Sequence, residues 1–421
     1  MSSTNETVAH SQASVDPRQR IEALDMVRGF ALFGVLLVNM YNFGAYSIIW
    51  NEPGDEFAFS VMRFFFETKS WRLFSFLFAF GFALQMVRAE QRGANFVPVY
   101  IRRLIILFAF GAVHSMIYRG DILMQYAELG LLLMLFRKTP LKILLVLSVC
   151  LMAVFPIGRA VTSYIDPAQA TPASDYSVHF EAEMAWMEEA RRSHVRAVGT
   201  MPEVMAFNAK LENPFSEPLS SERSVAVFAM FLLGLYVGRR GIFQDIPKHM
   251  QLIRRVFWWG LPIGLACMTA ERILNATTGY AIYRDQQATL LPQLIGDVAF
   301  VYGSTLLALA YAAGITLLAQ HARGRRLLAP LEAAGRLGLT VYLSGSFMFG
   351  ALFYSFAFGN AFWLGPAAVT GYAVLFFAIQ IAFCVWWTNR FRFGPMEWLW
   401  RALTYLKFPS MRLQEQSHGK G

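Results

Sequence analysis

Long apolar runs separated by short polar connections recur from one end of the chain to the other. "LDMVRGFALFGVLLVNM", "LFSFLFAFGFAL", "ILLVLSVCLMAVFPIG", "SVAVFAMFLLGLYVG" and "YAVLFFAIQIAFCVWW" carry the pattern. Several reach the ~20 residues that a helix needs to cross the hydrocarbon core of a bilayer. Alternation of period two, which a barrel strand needs, is missing. The pattern predicts an all-α polytopic membrane protein, with about ten transmembrane helices in one bundle. The spans fall at 24–44, 71–88, 103–118, 121–136, 142–162, 223–238, 256–274, 291–319, 334–355 and 367–388. Segments 57–70 and 391–406 read as helices lying at the interface. The long eighth and ninth spans are expected to tilt or to extend beyond the bilayer.

This spacing divides the chain into five parts. Residues 1–20 form a polar, flexible cytoplasmic N-terminus, and 21–162 hold the first five spans. Residues 163–222 form an extracytoplasmic helical insertion; 223–408 hold the other five spans and an interfacial helix, and 409–421 are a flexible tail. The first twenty residues carry no cationic region leading into a short apolar core, so the first span is expected to act as an uncleaved anchor.

Composition strengthens the membrane reading. Of 421 residues, 56% are hydrophobic and only 15% charged, too little polar surface for a soluble protein of this size. The net charge of +9 then serves orientation. Alternate connections, from Arg18 through "RKTPLK" and "HARGRR" to the tail, hold 24 of the 37 basic residues, so both termini are expected in the cytoplasm of a bacterial inner membrane. Nothing in that distribution asks for a nucleic-acid partner. Cys150, Cys267 and Cys384 each sit inside an apolar run, far apart, and read as packing residues. The seven histidines form no HxxxH or His/Cys cluster, which leaves a metal site unsupported. His179 and His194 lie fifteen apart on the charged "HFEAEMAWMEEARRSHVRAVG" stretch, a solvated face.

Charge reappears where the pattern would forbid it, in "VHSMIYRGDILMQYAE" from Val113 to Glu128. His114 falls one turn before the end of the third span, and Gly120 supplies the freedom for a tight reversal. Asp121 is placed to cap the next helix, and Asp121, Gln125 and Glu128 at i, i+4 and i+7 share one face of it. Ionisable groups at membrane depth are costly unless paired, and His114 with Asp121 is the candidate reacting pair. Asp25 and Arg28, at i and i+3, can pair near the cytoplasmic end of the first span; Asn39 lies on the same face eleven residues on. A guanidinium at Arg28 offers a fork matching phosphate oxygens. "KSWRLFSFLFAFGFALQ" adds Lys69, Arg72, Ser75 and Gln85, and "AAGRLGLTVYLSGS" adds Arg336, Thr340, Tyr342, Ser344 and Ser346. By this reading Arg336 is the one basic residue well inside a span, close to its cytoplasmic end.

"LDMVRGFALFGVLLVNM", "KSWRLFSFLFAFGFALQ", "GAVHSMIYRGDILMQYAELGLLLMLFR", "GRLGLTVYL" and "RFRFGPMEWLWRALTY" resemble, in order and spacing, the YeiB family of bacterial inner-membrane proteins. The resemblance covers nearly the whole chain except the 163–222 loop. It implies kinship with a wider group of transmembrane acyltransferases, which share the opening "LDxxRG" and a bundle of ten or eleven helices. Those enzymes move an acyl group, typically from cytoplasmic acetyl-CoA, to a hydroxyl or amine on the other side. Their usual catalytic histidine soon follows the first span, whereas "NMYNFGAYSIIWNEPGDEF" contains none. By chemistry alone, His114 takes that place.

Three functions compete at this point. In the first, the chain is a membrane-embedded acyltransferase: acyl-CoA is the donor substrate, Arg28 meets its phosphates, His114 is the base and Asp121 orients it. Asn39 and Thr340 are candidate oxyanion donors. Asp25, Lys69, Gln85, Gln125, Glu128, Arg336 and Tyr342 complete the candidate binding set. The second is a permease for a small polar or lipid-like solute that uses a His/Asp/Glu relay, although no internal repeat of the kind many transporters show is visible. The third is a non-catalytic scaffold, for which a charged hairpin at membrane depth would be a needless cost. Expected partners are the bilayer, the acyl donor and its acceptor; a homo-oligomer stays open.

Overall fold

The computed structural model describes residues 21–44, 53–118, 120–165, 198–211, 219–282, 290–354, 357–359 and 364–412. Its helices are α1 (Glu22–Gly44), α2 (Asp55–Val61), α3 (Lys69–Gln91), α4 (Phe96–Ser115), α5 (Leu123–Leu133), α6 (Leu141–Ile165) and α7 (Met201–Leu211). They continue as α8 (Glu222–Arg240), α9 (Ile246–Ile282), α10 (Leu290–Ala319), α11 (Ala322–Arg336), α12 (Gly338–Phe353), α13 (Pro366–Thr388) and α14 (Pro395–Tyr405). The all-α, multi-spanning character is as the apolar pattern predicts.

The number of spans is not. Among the described residues six helices are long and apolar enough to cross a membrane, or seven if α11 and α12 count as one bent span. Four of the ten expected spans account for the difference. α5 is an eleven-residue helix extended by one 3₁₀ turn, too short to cross. α8 reaches nineteen residues but carries Glu222, Arg223, Arg239 and Arg240 at its ends. The thirty-seven-residue α9 has its apolar run broken by Glu271 and Arg272. The ninth span is divided between α11 and α12, which meet at 80°. Arg336 therefore ends a helix at that break, and does not sit inside a continuous span. The expected interfacial segment 57–70 likewise runs on with α3 as one apolar stretch, Asp55–Gln91, through a π-helical turn at Met62–Phe66. In the 163–222 insertion, α7 is a helix, whereas the charged stretch holding His179 and His194 lies outside the described residues.

α1 runs through the middle of the bundle. Its most apolar stretch is 72% buried, against 22% in α4 and α6, so these two present most of their surface outward. That outward surface is apolar: Ile105, Val113, Val146, Ile157 and Val161 are exposed, as are Trp258 and Trp259 on α9. A soluble protein does not display so large a patch, and lipid is its natural solvent. Cys150 shares the exposed face of α6, Cys267 is half-buried, and Cys384 alone is a buried packing residue. α1 and α11 cross backbone to backbone, since a Cβ on Gly29 would stand 2.0 Å from the Leu331 carbonyl oxygen and one on Gly335 1.9 Å from that of Asp25. Small residues are what allow helices to approach so closely in a bilayer.

Two helix starts are capped by carboxylates from elsewhere in the chain. Asp55 on α2 accepts from the Ala367 N–H at the start of α13 at 2.7 Å. Glu397 on α14 accepts from the Leu339 and Thr340 N–H groups at the start of α12, at 2.6 and 3.1 Å. Each puts negative charge against the positive end of a helix dipole and satisfies donors that would otherwise be stranded.

Candidate active site

The α4–α5 hairpin brings the expected pair together. His114 Nδ1 stands 2.7 Å from Asp121 Oδ1, with the side chains 2% and 0% exposed. The close approach depends on Gly111, one turn before His114, where a Cβ would come within 2.6 Å of Asp121 Oδ2 and 2.7 Å of the Met124 nitrogen. Asp121 itself precedes the helix: Oδ2 accepts from the Met124 N–H at 2.9 Å, so one carboxylate caps α5 and orients the imidazole. Tyr342 on α12 completes the cluster. Its hydroxyl donates to Asp121 Oδ1 at 3.4 Å and accepts from the Ile122 N–H at 3.3 Å, while its ring lies 4.9 Å from that of His114.

The tautomer follows from chemistry. An ionised carboxylate only accepts, so in the neutral imidazole Nδ1 carries the proton and Nε2 the lone pair. His114 Nε2 is buried and has no hydrogen-bond partner among the described residues. A buried acceptor left unmade costs free energy.

The remaining candidates divide by place. Gln125 donates to Ser224 on α8 at 3.0 Å, and Glu128 lies half-buried one turn further along α5. Asn39, Tyr342, Gly345 and Ser346 line a closed seam between α1 and α12, whose open volume of about 10 Å³ holds no more than one water. Arg28 lies at the other end of that seam, bonded to Asp25 at 2.7 Å and to the Gly335 carbonyl at 3.3 Å. Near it, Thr340 serves as part of the Glu397 cap, donating to Oε2 at 2.6 Å, with its hydroxyl oxygen accepting from the Met396 N–H at 3.2 Å. That role removes Thr340 from the pair's surroundings. Arg336 is half-buried at the α11–α12 break. Lys69 and Gln85 are not brought to the pair: Lys69 donates to the Arg63 carbonyl and Gln85 to that of Gly81, on their own segments.

Two contacts at the hairpin, and one at the start of α12, escape sequence reasoning. Asn208, from α7 of the insertion, donates to the Met116 carbonyl at 2.9 Å, and Tyr354 donates to that of Ile117 at 2.7 Å. The one at the start of α12 is Glu397, whose carboxyl is pushed up by burial and pulled only part of the way back by hydrogen bonds from Thr340 and Leu339. Only the last had a signal, since "GPMEWLW" falls in the expected interfacial helix 391–406, which gave Glu397 no role of its own.

These features define an all-α, multi-spanning membrane protein organised around a buried His–Asp pair. The chain is 33% identical over 417 residues to the uncharacterized protein YxaH of Bacillus subtilis (strain 168), covering 93% of this chain and 95% of that one. It is 26% identical over 408 residues to the uncharacterized protein YeiB of Escherichia coli (strain K12), covering 92% and 96%. An uncharacterized 39.9 kDa protein from the amylase 3' region of Bacillus acidopullulyticus is 28% identical over 410 residues, covering 94% and 97%. The family model described as "Protein of unknown function (DUF418)" matches residues 237–407, a range that includes Tyr342 and Glu397. The chain belongs to this DUF418/YeiB-like family of bacterial proteins, and its architecture is consistent with the inner membrane. No solved structure matches it.

Proposed function

We propose that the protein is a membrane-embedded acyltransferase in which His114 is the general base. The observation that carries this reading is the pairing of His114 Nδ1 with Asp121 and the unpartnered Nε2. A hydroxyl or amine acceptor gives its proton to Nε2 as its oxygen or nitrogen attacks the acyl carbon of a thioester. The carbon–sulfur bond breaks, and the proton passes from Nε2 to the departing thiolate. Asp121 fixes the tautomer and stabilises the imidazolium that forms between the two transfers. Tyr342, bonded to Asp121, holds the carboxylate in place.

The donor side of the reading rests on the α1–α12 seam. Arg28, Leu32, Val35 and Asn39 follow one face of α1 at helical spacing, from the Asp25 pair up to Tyr342. In this reading the thioester arm enters beside Arg28 and follows that face toward Tyr342 and the imidazole. The donor proposed is acetyl-CoA, with Arg28 on its phosphates.

The test is single-turnover release of free CoA by the purified full-length protein in nanodiscs, with acetyl-CoA and a panel of sugar and amine acceptors. Wild type is expected to release CoA only with an acceptor present, and His114→Gln is expected to bind acetyl-CoA normally and release none. Equal release by wild type and His114→Gln would remove the base assignment. Acceptor uptake into vesicles without any thioester cleavage would establish the permease instead.

A further inference from the structure

A second polar feature lies at the same end of the bundle, away from the His–Asp pair. A cavity of about 360 Å³ opens behind α6, bounded by the start of α3, the middle of α6, the first turns of α8, and Phe300 and Val301 further along α10. That volume is within the range of small-molecule sites. Most of its wall is apolar, with Met152, Phe155 and Phe300 prominent, while Arg72 and Arg223 also line it. The far side of α6 is exposed at Val154, Ile157 and Val161, so one helix separates the cavity from lipid.

Arg72 is the unexplained group. It is 3% exposed, and its side chain makes one hydrogen bond, from Nη1 to the neutral Thr305 hydroxyl at 3.3 Å. That hydroxyl already donates to the Val301 carbonyl. The guanidinium lies 4.9 Å from the Trp71 ring centroid, and Nε is buried with no partner among the described residues. A guanidinium always carries its charge, and a buried charge calls for a counter-ion. The acid on the cavity wall, Glu222, is committed to Arg159 at 2.6 Å, and Arg159 also holds Asp297 at 2.8 Å. Beside Arg72, Thr68 has φ +64° and a buried hydroxyl that is also without a partner.

We propose that this cavity binds an anionic amphiphile, its single acidic head on Arg72 and Thr68 and its apolar chain along α6 and α10. The buried Arg72 guanidinium selects a carboxylate or phosphate head, and the apolar wall selects a chain over a free anion. Such a site stands whether or not His114 works as a base, because it shares no residue with the hairpin.

The experiment is equilibrium titration of the full-length protein in nanodiscs, with empty nanodiscs as the blank. The probes are octanoate, octyl phosphate, octanol and inorganic phosphate. Saturable one-to-one binding of octanoate or octyl phosphate is expected, at least tenfold tighter than either octanol or inorganic phosphate. The stronger of the two acidic probes identifies the head group. Arg72→Gln should weaken binding at least tenfold, and Ala226→Phe, which fills the cavity and leaves Arg72 in place, should do the same. Should Arg72→Gln fail to fold, Arg72→Lys keeps the charge without the fork and should bind a fewfold more weakly than wild type. Octanol binding as tightly as the acids, inorganic phosphate binding as tightly as octyl phosphate, or unchanged affinity in either the Gln or the Phe variant would overturn the assignment.

Discussion

His114 and Asp121 are joined through Nδ1 and Oδ1 at 2.7 Å, and the same carboxylate caps α5 through its other oxygen at 2.9 Å from the Met124 nitrogen. The two jobs separate under mutation. An amide oxygen caps a helix about as well as a carboxylate, so Asp121→Asn should cost no more than about 1 kcal/mol of stability. It should lower turnover by roughly 100-fold or more, the usual contribution of acid–base catalysis, because it no longer fixes the tautomer or stabilises imidazolium. Thermal unfolding and CoA release measured side by side check this; a large loss of stability with normal turnover would make Asp121 a cap and nothing more.

Arg28 is already engaged, by Asp25 and the Gly335 carbonyl, and both contacts are made by Nη1. The rest of its fork is what a phosphate would use. Arg28→Lys preserves the charge that helps set topology but loses that fork. Affinity for acetyl-CoA should fall roughly tenfold while insertion is unchanged, as read by equilibrium binding and membrane fractionation. Unaltered affinity would reduce Arg28 to a topology signal and a clamp between α1 and α11.

What the sequence revealed and what it hid follow one physical rule. Asp25 with Arg28 and His114 with Asp121 are three and seven residues apart, so helix periodicity and a short turn fix their geometry locally. Gln125 with Ser224, Glu397 with Leu339, and Asn208 with Met116 lie dozens of residues apart, where spacing carries no information. Tyr342 was legible as a polar residue in an apolar run, yet only packing shows that it reaches Asp121. The span count failed for a related reason: hydropathy reads local apolar runs, and does not see that α5 is short or that α11 and α12 meet at 80°.

Asn208 ties the insertion to the reacting hairpin through the Met116 carbonyl, and its side chain is fully buried. Asn208→Ala strands that carbonyl, at a cost of about 1–3 kcal/mol. The melting temperature should drop, and amide exchange at the turn should quicken while that of α9 and α10 does not. Uniform exchange across the bundle would show that α7 does not brace the hairpin.

Orientation is tested apart from chemistry. The positive-inside count over ten spans predicts both termini in the cytoplasm and residues 163–222 outside, whereas a count in which the short α5 does not cross puts 163–222 on the side of the termini. Single cysteines replacing Ser174 and Ser410 in a chain without Cys150, Cys267 and Cys384 should respond oppositely to an impermeant thiol reagent in intact cells, position 174 labelling and position 410 not. The reverse result would invert the bundle and move the His114 hairpin to the cytoplasmic side.

Glu397 gives the protein a pH dependence outside the spans. Burial raises its carboxyl above the usual carboxylate range, although Leu339 and Thr340 donate to it. A group raised on folding binds its proton more tightly in the native state, so its contribution is complete below the usual carboxylate pKa and lost as pH rises through the folded value. Stability should therefore fall across that interval in wild type. Glu397→Gln mimics the protonated cap, costs roughly 1 kcal/mol through the changed acceptor set, and flattens the profile over the same window. Glu397→Ala removes the acceptor from the Leu339 and Thr340 N–H groups at the start of α12 and should cost about 2 kcal/mol. Melting curves between pH 4 and 8 in one detergent decide the matter. A Gln variant that keeps the wild-type slope would mean that another carboxyl titrates there, and an Ala variant as stable as wild type would mean that α12 needs no cap from α14.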